Sequence, residues 1–133
     1  MKPQLFLGIF FSVVSVSLFA ESGKSNEDWK LVAFTKTSTT FFNPQQILKD
    51  GKYKKTWIRE ISLDDKSLTK TLVRADCVEH TLRMSSYLKY DSKGNFLSSK
   101  DLGSPIMEVP PESLGGLILK SICTGKGYTE LNN

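Results

Sequence analysis

From residue 29 onward the chain is dominated by two-residue alternation of apolar and polar positions. Across 29–35, Trp29, Leu31 and Ala33 fall on one side and Lys30, Val32 and Phe34 on the other, which predicts a strand partly covered on both faces. Residues 38–43 hold Thr39, Thr40, Phe41 and Phe42 and predict its hairpin partner, broken at Asn43-Pro44. Residues 44–48 read as one helical turn with Asn43 as N-cap and Pro44 in the first position. After the turn signal Asp50-Gly51, residues 52–61 predict a strand carrying Tyr53, Trp57 and Ile58, and residues 62–66 a polar loop. The run 68–90 is too long for one ordinary strand, so a tight turn or bulge near 76–80 should divide it. In its second half Leu82, Met84, Leu88 and Tyr90 share a face. Asp91-Ser92-Lys93-Gly94-Asn95 is a turn with Gly94 available for the left-handed position, and 96–99 starts the next strand.

The periodicity then changes. Residues 101–109 read as an irregular linker, and Pro110-Pro111-Glu112-Ser113 as the opening of a helix. Leu114, Leu117, Ile118 and Ile122 fall at i, i+3, i+4 and i+8, an apolar stripe that needs a surface to cover. Gly115-Gly116 would let that helix approach closely, and Gly125 and Gly127 would stop it. The expected fold is α+β: an antiparallel sheet of five to six strands with one C-terminal helix packed on it. Trp29 and Trp57 are expected in its core.

Residues 1–20 belong to a different pattern. Met1-Lys2 is followed by an uncharged run rich in Leu, Phe, Val and Ile, ending at Ala20 before a charged stretch. This predicts a secretory signal peptide cut after Ala20. The apolar run of about 15 residues is shorter than the roughly 20 needed to span a bilayer, and no later segment is long and apolar enough. The organisation is then a leader at 1–20, a flexible N-terminus at 21–28, one domain at 29–124 and a tail at 125–133. No cysteine lies near the junction to carry a lipid.

Export changes how the two cysteines are read. An oxidising compartment favours a disulfide, and two cysteines allow one intramolecular pairing, Cys77 with Cys123. That bond would tether the helix to the sheet. The net charge of +4, reduced by one when Lys2 leaves with the leader, is too small and too scattered for a nucleic-acid partner. The one basic cluster, Lys52, Lys54 and Lys55, alternates with other residues as on a solvated strand face.

Catalytic chemistry is hard to build from these residues. His80 is the sole histidine, it sits in a strand pattern beside Glu79, and the two cysteines lack zinc-ligand spacing. Asp64-Asp65 falls in a polar loop with nothing to separate the two acidities. Gly115-Gly116 lacks the Lys-Ser/Thr of a phosphate-binding loop. The expectation is a non-enzymatic chain without cofactor or metal.

Taken in order, Trp29-x-Leu31-Val32, Phe41-Phe42-Asn43-Pro44-x-x-Ile47, Trp57-Ile58, Asp76-Cys77, Tyr90-Asp91-x-x-Gly94-Asn95, Pro110-Pro111-Glu112-Ser113-Leu114 and Ile122-Cys123 resemble the surface-adhesin protein E family of Gram-negative bacteria. The resemblance spans nearly the whole mature chain. It implies an antiparallel sheet with a C-terminal helix held by a Cys77–Cys123 bond. It also implies protein binding, to host matrix proteins such as vitronectin and laminin or to plasminogen, and a possible homodimer. Two departures separate this chain from that pattern: no lipidation cysteine, and the acidic Leu63-Asp64-Asp65-Lys66 where the adhesin carries a basic matrix-binding stretch.

Three functions follow as expectations. One is an adhesin-like binding module using sheet edges and the basic side chains Lys52, Lys54 and Lys55. Another is a periplasmic domain with an envelope protein partner, periplasm being favoured over the cell surface or secretion. The third is a carrier of a small, haem-like ligand, using aromatics under the helix.

Overall fold

The structure is a computed structural model and describes residues 28–132; the expected leader and nearly all of the N-terminal stretch 21–28 lie outside the described residues. Eight strands precede two helices: β1 (Lys30–Phe34), β2 (Ser38–Phe42), β3 (Leu48–Asp50), β4 (Tyr53–Ser62), β5 (Leu68–Asp76), β6 (Thr81–Tyr90), β7 (Phe96–Asp101), β8 (Ile106–Glu108), α1 (Leu114–Thr124) and α2 (Tyr128–Leu131). They form one antiparallel sheet, ordered β1-β2-β4-β5-β6-β7, with β3 pairing β4 and β8 pairing β6. The sheet curls as a half-barrel with α1 packed on it. The expected architecture holds, with two short strands added. Residues 106–108, expected within a linker, are β8, and Leu48–Asp50 is β3. Both are too short and too exposed to show an alternation.

Alternation along the central strands builds the core. Val32, Phe42, Ile58, Val73, Ala75 and Leu82 point to one face, where Ile118, Leu119 and Ile122 of α1 cover them. Phe42, Leu82 and Ile122 are 0% exposed, and each such side chain contributes roughly 1.5–3 kcal/mol by leaving water. The helix stripe is therefore shifted from the expected one: Leu119 is buried, while Leu114 is 37% exposed at the first turn.

Local chemistry sets where α1 begins and ends. It starts at Leu114, not at Pro110, because Ser113 is the N-cap, its Oγ accepting from the Gly116 N–H at 3.1 Å. Pro110 and Pro111 instead fold back over the first turn, so a Cβ on Gly116 would lie 2.1 Å from the Pro110 carbonyl oxygen. Gly116 is needed for this close loop, whereas a Cβ on Gly115 would meet Val109 Cγ1 at 2.9 Å and, on β6, Leu82 Cδ1 at 3.8 Å. Gly125 takes the left-handed conformation at φ 72° and closes the helix. The segment expected as a tail includes α2, which packs on β1 through a Tyr128–Phe34 edge contact and a Glu130–Lys30 ion pair.

Cys77 and Cys123 form the expected disulfide, with Cα atoms 5.8 Å apart, joining the end of β5 to the last turn of α1. Lys54 reinforces the junction by donating from Nζ to the Cys123 carbonyl oxygen at 3.1 Å. That contact places a cation at the negative end of the helix.

A bulge in β6 changes one expected face. Leu72 pairs with Ser86 but Val73 pairs with Met84, leaving Ser85 as an extra residue whose carbonyl accepts from the Leu102 N–H. Leu82 and Met84 consequently pack on the core side, whereas Leu88 and Tyr90 emerge on the opposite side. The four were expected together.

Candidate functional site

The face of the sheet turned away from α1 is organised by cross-strand register. Residues directly opposite each other in an antiparallel pair share a face. Arg59 of β4 lies opposite Lys70 of β5. Four residues along, Lys55 lies opposite Arg74, which in turn lies opposite Arg83 of β6. Between these two cationic rows runs an apolar one, Trp57 opposite Leu72.

Aromatic rings support the cations. The Arg59 guanidinium sits 4.7 Å from the Trp29 ring centroid, Lys70 Nζ 5.3 Å from Tyr90, and the Arg74 guanidinium 5.6 Å from Tyr53. Lys70 thus leans toward Tyr90 and Arg74 toward Tyr53, both away from the Trp57–Leu72 row. Each stacking contributes about 0.5–1 kcal/mol at a partly exposed site. Arg74 also pairs with Asp50 at 2.7 Å. The Nε atoms of Arg59 and Arg74 are buried without a hydrogen-bond partner among the described residues. A groove of about 360 Å³ opens on this face between Trp29, Gln46, Trp57, Lys70 and Leu88.

Trp29 and Trp57 are not core residues. Both are half-buried on the open face, because β4 alternates Thr56 and Ile58 inward and Trp57 and Arg59 outward. The same alternation scatters the three lysines singled out from sequence. Lys54 points under the helix to Cys123. Lys52 lies in the turn before β4, 3.4 Å from Asp76, and this hydrogen bond raises its pKa. Lys55 alone is on the open face, in the row with Arg74 and Arg83. Sequence reasoning missed Arg59, Lys70, Arg74 and Arg83. The pattern Lys55-x-Trp57-x-Arg59 was visible, but the register that aligns three strands was not.

Asp76 and Asp65 serve turns. Asp76 is buried, accepts from the N–H groups of Glu79 at 3.0 Å and Val78 at 3.1 Å, and is held below the usual carboxylate pKa chiefly by the Glu79 bond. Asp65 accepts from the Ser67 N–H at 2.9 Å, and its bonding to Ser67 depresses it likewise. His80 is not in a strand: it is exposed in the turn after β5, at φ 55°. It borders a cleft of about 420 Å³ beside the disulfide, walled mainly by Val109, Leu117 and Leu119. Among the described residues no group of three or more His, Cys, Asp or Glu is placed to hold a metal ion, and no helix is long and apolar enough to cross a membrane.

No family model matches the chain, and no curated protein and no solved structure shows significant similarity to it.

Proposed function

We propose that the chain is an exported, non-enzymatic binding domain of the surface-adhesin E-like type, which engages a protein partner through the open face of its sheet. The observation that carries this reading is the Trp57–Leu72 row bounded by Arg59, Lys70, Lys55, Arg74 and Arg83. Tryptophan, tyrosine and arginine are enriched among the residues that dominate protein-binding energies once a partner covers them. Export rests on the leader pattern and on the disulfide, a bond that an oxidising compartment maintains. The partner is an envelope protein if the domain stays in the periplasm, the preferred address, and a host matrix protein such as vitronectin or laminin if it reaches the surface. The non-enzymatic assignment rests on the carboxylates already engaged in turns and on the exposed His80.

Protease treatment of intact cells producing the tagged protein, followed by osmotic shock, tests the address. Loss of the tag from intact cells places it at the surface, and survival with release by shock places it in the periplasm. A photo-crosslinking residue at position 57 should capture the partner, and one at Lys120, exposed on the outer side of α1, should not. Capture from 120 alone would refute the open face as the contact.

A second reading, small-ligand carriage, has the apolar cleft beside the disulfide in its favour. Saturable absorbance change on haem titration would support it; no change would remove it.

A further inference from the structure

We infer that the element docking on the open face is an acidic amphipathic helix of the partner, laid across β4, β5 and β6. Its apolar stripe would rest on Trp57 and Leu72, and its carboxylates on the two cationic rows. The inference depends on the reading above that this face is the binding surface, and adds the chemistry of the occupant.

Charge is the first argument. Three like-charged pairs stand directly opposite one another: Arg59 with Lys70, Lys55 with Arg74, and Arg74 with Arg83. Such pairs destabilise a sheet. Asp50 on Arg74 is the one anion paired to these five cations among the described residues. Carboxylates laid over the rows would relieve the repulsion.

Layout is the second. The rows are not a uniform cationic surface, because Trp57 and Leu72 separate them and Lys70 and Arg74 lean away from that band toward Tyr90 and Tyr53. A strongly hydrated polyanion, such as a sulfated polysaccharide, gains nothing from an apolar band. An acidic peptide with an apolar stripe does.

Width is the third. Lys55 and Arg59 are four residues apart on β4, which places the rows about 14 Å apart at strand rise. A helix with its side chains is about 10–12 Å across, so it fits between them. It also presents a stripe with two flanks. An extended strand offers one row of side chains to the surface it faces.

The test is fluorescence anisotropy with a labelled synthetic peptide carrying leucines at heptad spacing with glutamates on both flanks. Its scrambled isomer and heparin are the comparators. The peptide should bind at least tenfold more tightly than the scramble or heparin. Lys70→Glu and Arg83→Glu should each weaken it at least tenfold while keeping or raising the melting temperature, since each replaces a like-charged pair by an opposite one. That combination of lost binding and retained stability separates recognition from misfolding. Heparin binding that exceeds peptide binding and is lost in the same variants overturns the acidic helix but keeps the open face. Peptide binding indifferent to both reversals overturns both readings. A concentration-dependent dimer dissolved by the same substitutions would place a second copy on the face and overturn the acidic partner.

Discussion

On β4, Thr56 and Ile58 point beneath α1 and are sealed from water, while Trp57 and Arg59, their immediate neighbours, point the other way and remain half-exposed. The covered face is made of Val, Ala, Leu and Ile with one aromatic, Phe42, side chains that need only volume and close contact. The open face is made of large rings and long cations, held in place by stacking and by one another's methylene stems. One side of the sheet has therefore been filled by the chain itself, and the other has been left with chemistry that its own residues do not neutralise. The two chemistries are separated here by nothing more than the period of a strand.

That contrast can be broken most forcefully at the latch of the covered side. Replacing Cys77 and Cys123 by Ser should cost roughly 4 kcal/mol on the chain-entropy account for a loop of this length, read as a lower denaturation midpoint under oxidising conditions. An unchanged midpoint would mean that α1 is held by packing alone. Next comes the pair Leu82→Ala and Trp57→Ala. The first empties a fully buried site and should cost about 3 kcal/mol; the second, on the open face, should cost roughly 1 kcal/mol. Equal losses in urea would erase the distinction between the faces.

A smaller effect concerns acid. Asp76 has its folded pKa depressed, first by the Glu79 N–H and then by the Val78 N–H and Lys52. Its contribution is thus fully present above the unfolded value of about 3.9 and lost as pH falls through the folded pKa. Asp76→Asn should flatten the fall in stability below about pH 4, seen in midpoints measured from pH 2 to 6. The smallest effect has the opposite sign: Arg83→Glu, opposite Arg74, should stabilise by about 0.5 kcal/mol, read as a slight rise in melting temperature.

Much of this fold is legible in the residues themselves. Alternation marks the long strands, Asn43 and Pro44 mark a 3-10 turn at Pro44–Gln46, Gly94 marks the hairpin at φ 86°, and two cysteines leave one pairing. What escapes is whatever depends on pairing partners. β8 is three exposed or half-exposed residues that become a strand through β6. The Ser85 bulge carries no local signature and moves Leu88 and Tyr90 to the other side. The candidate site escapes for the same reason, since Lys55, Arg74 and Arg83 are 19 and 9 residues apart in the chain and adjacent only through register. A single sequence shows which residues alternate; it does not show which ones meet.

The bulge at Ser85 also divides the molecule in time. Beyond it, no residue of β5, β6 or β7 among those described is buried, and β7 is exposed along its whole length. Opening that end of the sheet uncovers no core, so its amide hydrogens should exchange with solvent by local events far below the free energy of global unfolding. The amides of Val73, Ala75 and Leu82 must wait for α1 to leave. Deuterium uptake should therefore run in two regimes along single strands, fast at the Leu68 and Tyr90 ends and slow at the Asp76 and Thr81 ends, with the change at one serine.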